Sequence, residues 1–246
     1  MKNCIVLSGQ YRTFDKTWEN IKTYIDANEM DVYCHLWSTD EQEIKNVQER
    51  LKPTKFLAED FSQYENVFMD IERRAHAANP KPKTIDSISK NASMNYGRFK
   101  AFGLIDDIEY ENLSYCRYDL VFDPPFKFQE VGFIVTPMEE SYNLISDIFA
   151  VMPFKWANAY FLYNNYEHLH STQFEPEFED WLRNVKKYPE NDIITHKEQR
   201  YCPHMTLLRN LFLKGRHLIS LTFQYIYKDE NSIMFHWPSQ VIPKRI

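Results

Sequence analysis

IVLSGQYR, residues 5–12, is the stretch of sequence that decides the fold. Its first part, Ile5–Leu7, is a short apolar run typical of a buried strand, and Ser8–Gln10 ends that run with a loop. The segment that follows, Thr13–Ala27, carries apolar residues at helical spacing. The stretch therefore predicts a strand that leads through a glycine-containing loop into an amphipathic helix.

The same alternation continues along the chain. Asp31–Trp37 predicts a second strand, Glu41–Leu51 a second amphipathic helix, and Pro53–Leu57 a third short strand. Strands and helices that alternate with short connections are typical of a parallel, doubly wound sheet. We therefore predict an α/β fold with a central, mostly parallel sheet flanked by helices. No repeat, low-complexity tract or linker divides the chain, so residues 1–246 are expected to form a single domain.

The patterns of the remaining sequence are less regular. They predict a long helical region over Ile85–Asn112, a strand over Leu113–Phe122 and an aromatic-rich helix over Phe149–His170. They also predict a surface loop at Asn79–Lys83, a short strand at Phe133–Val135, helices over Glu175–Tyr188 and Thr195–Leu213, and a late strand pair formed by Leu218–Tyr227 and Ser232–Phe235.

Composition argues against a protein that coats nucleic acid. The chain has 35 acidic and 29 basic residues, a net charge of −6, whereas proteins that coat nucleic acid are usually basic. We therefore expect no nucleic-acid partner. The 18 Phe, 16 Tyr and 5 Trp fill a core, and some of them are available to line a pocket for bases or sugars.

Cysteine usage and hydropathy indicate a compartment. Cys4, Cys34, Cys116 and Cys202 are widely spaced without a CxxC pair, which argues against a structural zinc site and fits a reducing environment. No stretch approaches the roughly 20 apolar residues that cross a bilayer, and the apolar run at the N-terminus is too short for a signal peptide. The expected location is the cytoplasm, with no transmembrane segment.

Ligands of open α/β sheets bind beyond the carboxyl ends of the strands. The first strand ends at Ser8, Gly9 and Gln10, followed by Arg12, whose planar guanidinium suits phosphate oxygens. An ordinary surface loop that needs a glycine and a cation is the alternative interpretation. The second strand ends at Trp37, which offers a ring for stacking, and at Asp40, which we expect to cap the next helix.

A charged pair interrupts the apolar stretch Leu113–Phe122. If that strand stays regular, Arg117, Asp119 and Asp123 point to one face. The Asp119 carboxylate could anchor Mg²⁺ or Mn²⁺, with pyrophosphate oxygens and water completing the coordination. The alternative is a buried Arg117–Asp119 ion pair, because buried charges need partners.

Three short segments together resemble a known family. Ile5–Arg12, Asp31–Trp37 and Arg117–Leu120 look like the "LSGQxR" loop, the "DVFIHTW"-like strand and the "RxRxDL" strand of GT-A glycosyltransferases found in large DNA viruses, phages and bacterial polysaccharide clusters. The similarity spans roughly residues 1–215. It implies a GT-A-like (Rossmann-like) fold, a nucleotide-sugar donor bound by the first loop, and Asp119 at the metal or pyrophosphate.

The chain departs from this pattern at two positions. Tyr115 stands where the family has its first arginine, and Arg117 stands where the usual DxD metal motif has its first aspartate. One carboxylate, Asp119, is left at this motif. The resemblance also implies a metal-binding histidine near the C-terminus, for which His236 is the candidate.

Two further sets of residues are candidates. Asp147 resembles a family residue on the acceptor side and is predicted as the general base that deprotonates an acceptor hydroxyl, although a helix cap is an equal alternative. Tyr96 and Lys100 are four residues apart on one helical face and are predicted to reach the donor. An ordinary amphipathic helix is the alternative for that pair.

These observations predict an enzyme, a glycosyltransferase that moves a sugar from a nucleoside-diphosphate-sugar donor to a glycan or glycoprotein acceptor with the help of Mn²⁺ or Mg²⁺. One alternative is a non-catalytic nucleotide-sugar or carbohydrate-binding module with a degenerate metal site. The other is a nucleotidyltransferase, although such enzymes normally have a Gly- and Lys-rich first loop, and Ser8–Arg12 has one glycine and no lysine.

Overall fold

The computed structural model describes residues 2–70, 86–106, 109–122, 138–139, 144–145, 148–161, 176–184, 190 and 244–245. Most of them form one five-stranded sheet with helices on both faces, and the rest include two small two-stranded sheets. The strands are β1 (Asn3–Gln10), β2 (Met30–Trp37), β3 (Lys55–Glu59), β4 (Asn112–Cys116), β5 (Leu120–Val121), β6 (Met138–Glu139), β7 (Leu144–Ile145), β8 (Phe149–Pro153) and β9 (Lys244–Arg245). The helices are α1 (Phe14–Ala27), α2 (Glu41–Leu51), α3 (Asp86–Phe102), α4 (Ala157–Phe161) and α5 (Pro176–Asn184).

The strand order of the main sheet is β3-β2-β1-β4-β8. The first four strands run parallel and β8 runs antiparallel to β4. This arrangement confirms the predicted α/β class with a mostly parallel central sheet. The chain moves outward from β1 to β3 and then returns to the other side of β1, so the strand order reverses between β1 and β4. In open α/β sheets a ligand crevice lies at such a reversal, outside the carboxyl ends of the two strands.

One face of the sheet packs against α1 and α2. Alternate residues of β1 and β2, such as Leu7 and Cys34, are fully buried there with Phe14 and Ile21 of α1 and Val47 of α2. Their burial removes apolar surface from water, which contributes about 25 cal/mol for each Å². This apolar packing holds β1 in place against α1 and α2. It therefore also fixes the position of the loop that follows β1.

The other face packs against α3, which contacts β1 and β2. Gly97 lets this helix approach closely, because a Cβ at Gly97 would lie 2.9 Å from Nδ1 of His35 and 3.4 Å from Nε1 of Trp37. The glycine is therefore required by packing. It brings the last residues of α3 beside the carboxyl ends of β2 and β3.

Most of the predictions for the first 60 residues are confirmed. The first two helices and three strands are present, and Glu41–Leu51 has the predicted bounds. Asp40 caps α2, since its Oδ1 accepts hydrogen bonds from the backbone N–H groups of Gln42 (2.8 Å) and Glu43 (3.0 Å).

The three described cysteines, Cys4, Cys34 and Cys116, lie in strands and are buried and unbridged. Burial raises the pKa of Cys34 to about 12, so this thiol behaves as a small apolar group.

Three predictions of secondary structure are wrong. The predicted helix Ile85–Asn112 ends at Phe102, because Gly103 follows and the backbone tightens there, before β4 begins at Asn112. The predicted strand Leu113–Phe122 is broken after Cys116 by a turn. The predicted helix at Phe149 begins instead as β8, whose five residues are all buried and therefore lack the polar alternation that marks a strand.

Other predictions are confirmed in part or lie outside the described residues. The helix predicted over Glu175–Tyr188 is present as α5. The segments 79–83, 133–135, 195–213, 218–227 and 232–235 fall outside the described residues, as does Cys202. None of the helices in the described ranges is long and apolar enough to cross a membrane.

Candidate ligand site at the carboxyl ends of β1 and β4

The loop after β1 has a strained, fixed backbone. Gly9, near the end of β1, has a φ of 141° and Arg12, just after β1, a φ of 42°, and both values lie in the region that L side chains rarely adopt. For a non-glycine residue this costs roughly 1–2 kcal/mol. The predicted loop at Ser8–Gln10 begins later, because these residues extend β1 and pair with β2. Tyr11 anchors the loop, because its hydroxyl donates to Oδ1 of Asp15 at 2.6 Å and accepts from Nδ2 of Asn46 at 2.8 Å. The anchor holds Arg12 in its unusual conformation.

Side chains of helix α1 form hydrogen bonds with the backbone of the segment that follows β4. Oγ1 of Thr17 donates to the carbonyl oxygen of Tyr118 at 2.5 Å. One helical turn further, the side-chain amide of Asn20 donates to the carbonyl of Phe122 and accepts from its N–H. The hydroxyl of Tyr118 also donates to the backbone oxygen of His35 on β2 at 3.2 Å. These bonds fix the turn that carries Arg117 and Asp119.

Two guanidinium groups meet at the Asp119 carboxylate. Arg117 binds it with two nitrogens, Nε to Oδ1 at 2.9 Å and Nη2 to Oδ2 at 2.6 Å. Arg12 reaches it from the β1 loop, with Nη1 3.3 Å from Oδ2. The Asp119 side chain is 4% exposed, that of Arg117 15% and that of Arg12 36%. We call Arg12, Arg117 and Asp119 the arginine–aspartate cluster.

The cluster brings together two predicted segments by a route that differs from the predicted one. The prediction that Arg117 and Asp119 share the face of a regular strand is wrong, because both lie in the turn after β4. Their convergence comes from that turn, which folds the Arg117 side chain back onto Asp119. The buried ion pair, the predicted alternative, is therefore present. Through Arg12, the cluster joins the segment that follows β1 to the turn that follows β4, where the strand order reverses.

The other predicted residues of the first loop flank the cluster. Gln10 accepts a hydrogen bond from Nε of Arg12 at 3.1 Å. Ser8 is buried, and its hydroxyl lies 3.4 Å from that of Tyr115 on β4. Gly9 lies beside the Tyr118 ring, since a Cβ there would be 3.9 Å from it. Ser8 and Gly9 therefore lie beside residues of β4 and of the turn that follows it, while Gln10 holds Arg12.

The described residues do not fit a divalent metal ion at Asp119. Both carboxylate oxygens already accept hydrogen bonds from guanidinium groups, and two permanent positive charges stand where a cation would have to bind. In the part of the chain that the structure describes, no three His, Cys, Asp or Glu side chains are grouped as metal ligands. The second predicted ligand, His236, lies outside the described residues, as do the predicted general base Asp147 and the candidate Asp123. Their roles stay predictions.

A second polar cluster lies at the carboxyl ends of β2 and β3, on the α3 face. It is centred on Glu59, which accepts from Nε2 of His35 at 2.9 Å and from the hydroxyl of Tyr64 at 2.7 Å. The hydroxyl of Tyr96 is 3.4 Å from Glu59 and the Lys100 ammonium is 3.9 Å from it. The predicted pair Tyr96 and Lys100 therefore points to a protein carboxylate.

Trp37 belongs to the same layer. Its ring stacks on that of Tyr96, with centroids 5.5 Å apart and planes at 26°, and its Nε1 donates to the carbonyl of Ser93 at 3.2 Å. The side chain is buried among protein aromatics, and we read it as support for the polar cluster. Stacking of Trp37 on a ligand stays a prediction.

Sequence reasoning missed His35 and Glu59. Burial lowers the pKa of His35, although the hydrogen bond with Glu59 opposes this effect. Burial raises the pKa of Glu59, but hydrogen bonds from His35 and Tyr64 outweigh it, so that pKa lies below its ordinary value. His35 is a polar residue in the otherwise apolar stretch Asp31–Trp37. This contrast is the sequence signal that could have identified it.

A buried arginine connects α3 with the β1 edge. Arg98 is 4% exposed, donates to Oδ1 of Asn95, and lies over the rings of Tyr115 (5.4 Å) and Tyr160 (5.7 Å). Tyr115 in turn lies beside Ser8, so this cation stands behind the loop that carries Arg12.

Comparisons with known proteins give structural likenesses alone. No protein-family model matches the chain, and no curated protein matches it. Among solved structures, the galactosyltransferase LgtC, in complex with donor and acceptor sugar analogues, is 11% identical with a TM-score of 0.44, covering 98% of this chain and 86% of its own. Mouse xyloside xylosyltransferase 1 is 9% identical with a TM-score of 0.38, over 90% and 84%. The glycosyltransferase GlyE of Streptococcus pneumoniae is 10% identical with a TM-score of 0.35, over 98% and 53%. These values are too low for the activity of those proteins to be assigned to this chain.

Proposed function

We propose that the chain is a glycosyltransferase that moves a sugar from a nucleoside-diphosphate-sugar donor to a glycan or glycoprotein acceptor. The observation that supports this function best is the arginine–aspartate cluster, in which Arg12 and Arg117 converge at the carboxyl ends of β1 and β4. A sheet of this order binds ligands at that point, and guanidinium groups suit phosphate oxygens. The motif resemblance described above indicates the same donor class.

The reaction needs the charge of the departing diphosphate to be stabilised. As the bond between the anomeric carbon and the diphosphate oxygen breaks, its electron pair stays on that oxygen, and the N–H groups of Arg12 and Arg117 bind the resulting charge. Fixed donors in a partly buried site do this without reorganising, which is the largest contribution in many enzymes. The acceptor hydroxyl oxygen then bonds to the anomeric carbon, and its proton passes to the proposed base Asp147 in an inverting reaction.

Turnover of the donor tests this function. The wild type is incubated with UDP-, GDP- and dTDP-sugars, and release of nucleoside diphosphate is followed with and without candidate acceptors. The Arg12→Asn variant keeps a residue that tolerates a positive φ but removes the charge, and we expect its kcat/KM to fall about tenfold to a hundredfold. The matched control is Lys55→Gln, which removes an exposed charge at the start of β3, the opposite edge of the sheet. Equal rates in the two variants would remove Arg12 from the donor site, and no turnover by the wild type would refute the proposed function itself.

A non-catalytic sugar-nucleotide-binding module is the second candidate. The single carboxylate at the cluster, engaged by two arginines, favours it. Such a module would gain thermal stability from a nucleotide sugar without hydrolysing it, whereas the enzyme would show both effects. A nucleotidyltransferase is disfavoured by the loop Ser8–Arg12, which has no lysine.

A further inference from the structure

We infer that this edge of the sheet neutralises the donor's diphosphate with the guanidinium groups of Arg12 and Arg117 in place of a divalent cation, and that Asp119 is a positioning residue that aligns them. The inference rests on the proposed function, because it concerns the diphosphate of the same donor. It reverses the metal-ligand role that the sequence suggested for Asp119.

Both carboxylate oxygens of Asp119 are already bound by arginine nitrogens. Its two oxygens are shared among three guanidinium nitrogens at 2.6 to 3.3 Å, and its side chain is almost fully buried. A metal ion on this carboxylate would have to displace Arg117, which the turn after β4 holds in a two-point contact. The guanidinium cannot lose its proton to make room for another cation. Asp119 is therefore built to bind arginine.

Both arginines keep N–H groups that no described residue binds. Each guanidinium has five N–H groups in a planar fork. Arg117 uses Nε and Nη2 on Asp119, while Arg12 uses Nη1 on Asp119 and Nε on Gln10. Nη1 of Arg117 and Nη2 of Arg12 have no hydrogen-bond partner among the described residues. Asp119 fixes one edge of the Arg117 fork, and Asp119 and Gln10 each hold one nitrogen of Arg12, so the remaining N–H groups are oriented before the ligand arrives.

The net charge of the arginine–aspartate cluster favours an anionic ligand. Among the described residues, two guanidinium groups face one carboxylate, so these three side chains together carry one net positive charge. A diphosphate has negative charge on both phosphates, and this charge compensates the positive charge of the cluster. Arg12 is the more exposed of the two arginines and is the one that a ligand contacts first. This arrangement binds a diphosphate and repels a free divalent cation.

The test is calorimetric titration of UDP, GDP and dTDP into the full chain, in EDTA and in Mn²⁺. We expect at least one nucleoside diphosphate to bind with dissociation constants that agree within about threefold in the two buffers. Arg12→Asn should weaken binding about tenfold to a hundredfold, and Arg12→Lys, which keeps the charge without the fork, should weaken it less. Lys55→Gln should bind like the wild type.

Asp119→Asn separates a metal ligand from a positioning residue. The asparagine keeps one oxygen for the guanidinium groups and removes a negative charge from the site. We therefore expect binding to weaken less than in Arg12→Asn and, as in the wild type, the dissociation constants in EDTA and in Mn²⁺ to agree within about threefold, whereas loss of a metal ligand would abolish a Mn²⁺-dependent gain in affinity. Circular dichroism before each titration confirms that the variants are folded.

Two results would overturn the inference. Binding that requires Mn²⁺, is lost in Asp119→Asn and survives in Arg12→Asn would make Asp119 a metal ligand and leave the glycosyltransferase proposal intact. No binding of any of the three nucleotides in either buffer would remove the proposed function itself, and the inference with it.

Discussion

The ion pair between Arg117 and Asp119 allows a quantitative prediction about the stability of the β4 turn. Both side chains are mostly buried, at 15% and 4% exposure. Removing one partner of a buried pair typically costs about 3–5 kcal/mol, because the other charge stays buried. Arg117→Met leaves the Asp119 carboxylate with Arg12 at 3.3 Å, a weaker contact, so we expect a loss near the lower limit, about 3 kcal/mol.

The expected effect of the partner variant is smaller. Asp119→Ala leaves a guanidinium whose long stem can carry it toward solvent, so we expect a loss of about 1–3 kcal/mol. The double variant removes both charges and should cost less than the sum, with a coupling energy of about 1–3 kcal/mol. For a chain of this size a loss of 3 kcal/mol lowers Tm by about 6–12 °C.

Urea denaturation followed by tryptophan fluorescence measures these free energies. The control cycle uses the exposed pair Lys22 and Asp26 on α1, for which a coupling of about 0.3–0.5 kcal/mol is expected. Additive effects of Arg117→Met and Asp119→Ala, within about 0.5 kcal/mol, would show that the two groups do not stabilise each other and would refute the account of the turn.

Three further predictions concern the supports of the site. Thr17→Val should cost about 1–3 kcal/mol in urea denaturation, because it leaves the buried carbonyl of Tyr118 without its 2.5 Å donor; an unchanged stability would contradict this. Gly97→Ala should destabilise the fold by about 1–2 kcal/mol, since the clash with the His35 ring exceeds the gain in helix propensity, whereas Gly103→Ala, at an exposed position, should change stability by less than about 0.5 kcal/mol. Burial lowers the pKa of His35, so as the pH falls this residue is protonated in the unfolded chain before it is protonated in the folded chain, and stability falls below about pH 6.5. His35→Gln should flatten this dependence between about pH 7.5 and 5.5, and an unchanged slope would contradict it.

The central part of the fold could be predicted because its strands carry a strong local signal. Ile5–Leu7 and Asp31–Trp37 are apolar runs buried on both faces of a parallel sheet, and the helix between them has a clear apolar stripe. The approach of the Ser8–Arg12 loop to Asp119 also followed from sequence, because the carboxyl ends of parallel strands meet at one edge. The position of these residues at one edge of the sheet was therefore predictable from local patterns, whereas the turn that brings Arg117 onto Asp119 was not.

The elements that were missed depend on contacts between distant segments. The strand Phe149–Pro153 exists because it pairs with β4, and its fully buried sequence cannot be distinguished from a buried helix. The hydrogen bond between His35 and Glu59 joins two strands across 24 positions of sequence. The turn at Arg117–Asp119 depends on Thr17 of α1, about a hundred residues earlier, and no local pattern contains that information.

A crystal structure of the chain with the nucleoside diphosphate that binds best tests the central claim most directly. The account predicts phosphate oxygens within about 2.7–3.2 Å of guanidinium nitrogens of both Arg12 and Arg117, at the carboxyl ends of β1 and β4. A nucleotide whose phosphates lie at another part of the chain, with the arginine–aspartate cluster unchanged and without contact to the ligand, would contradict it.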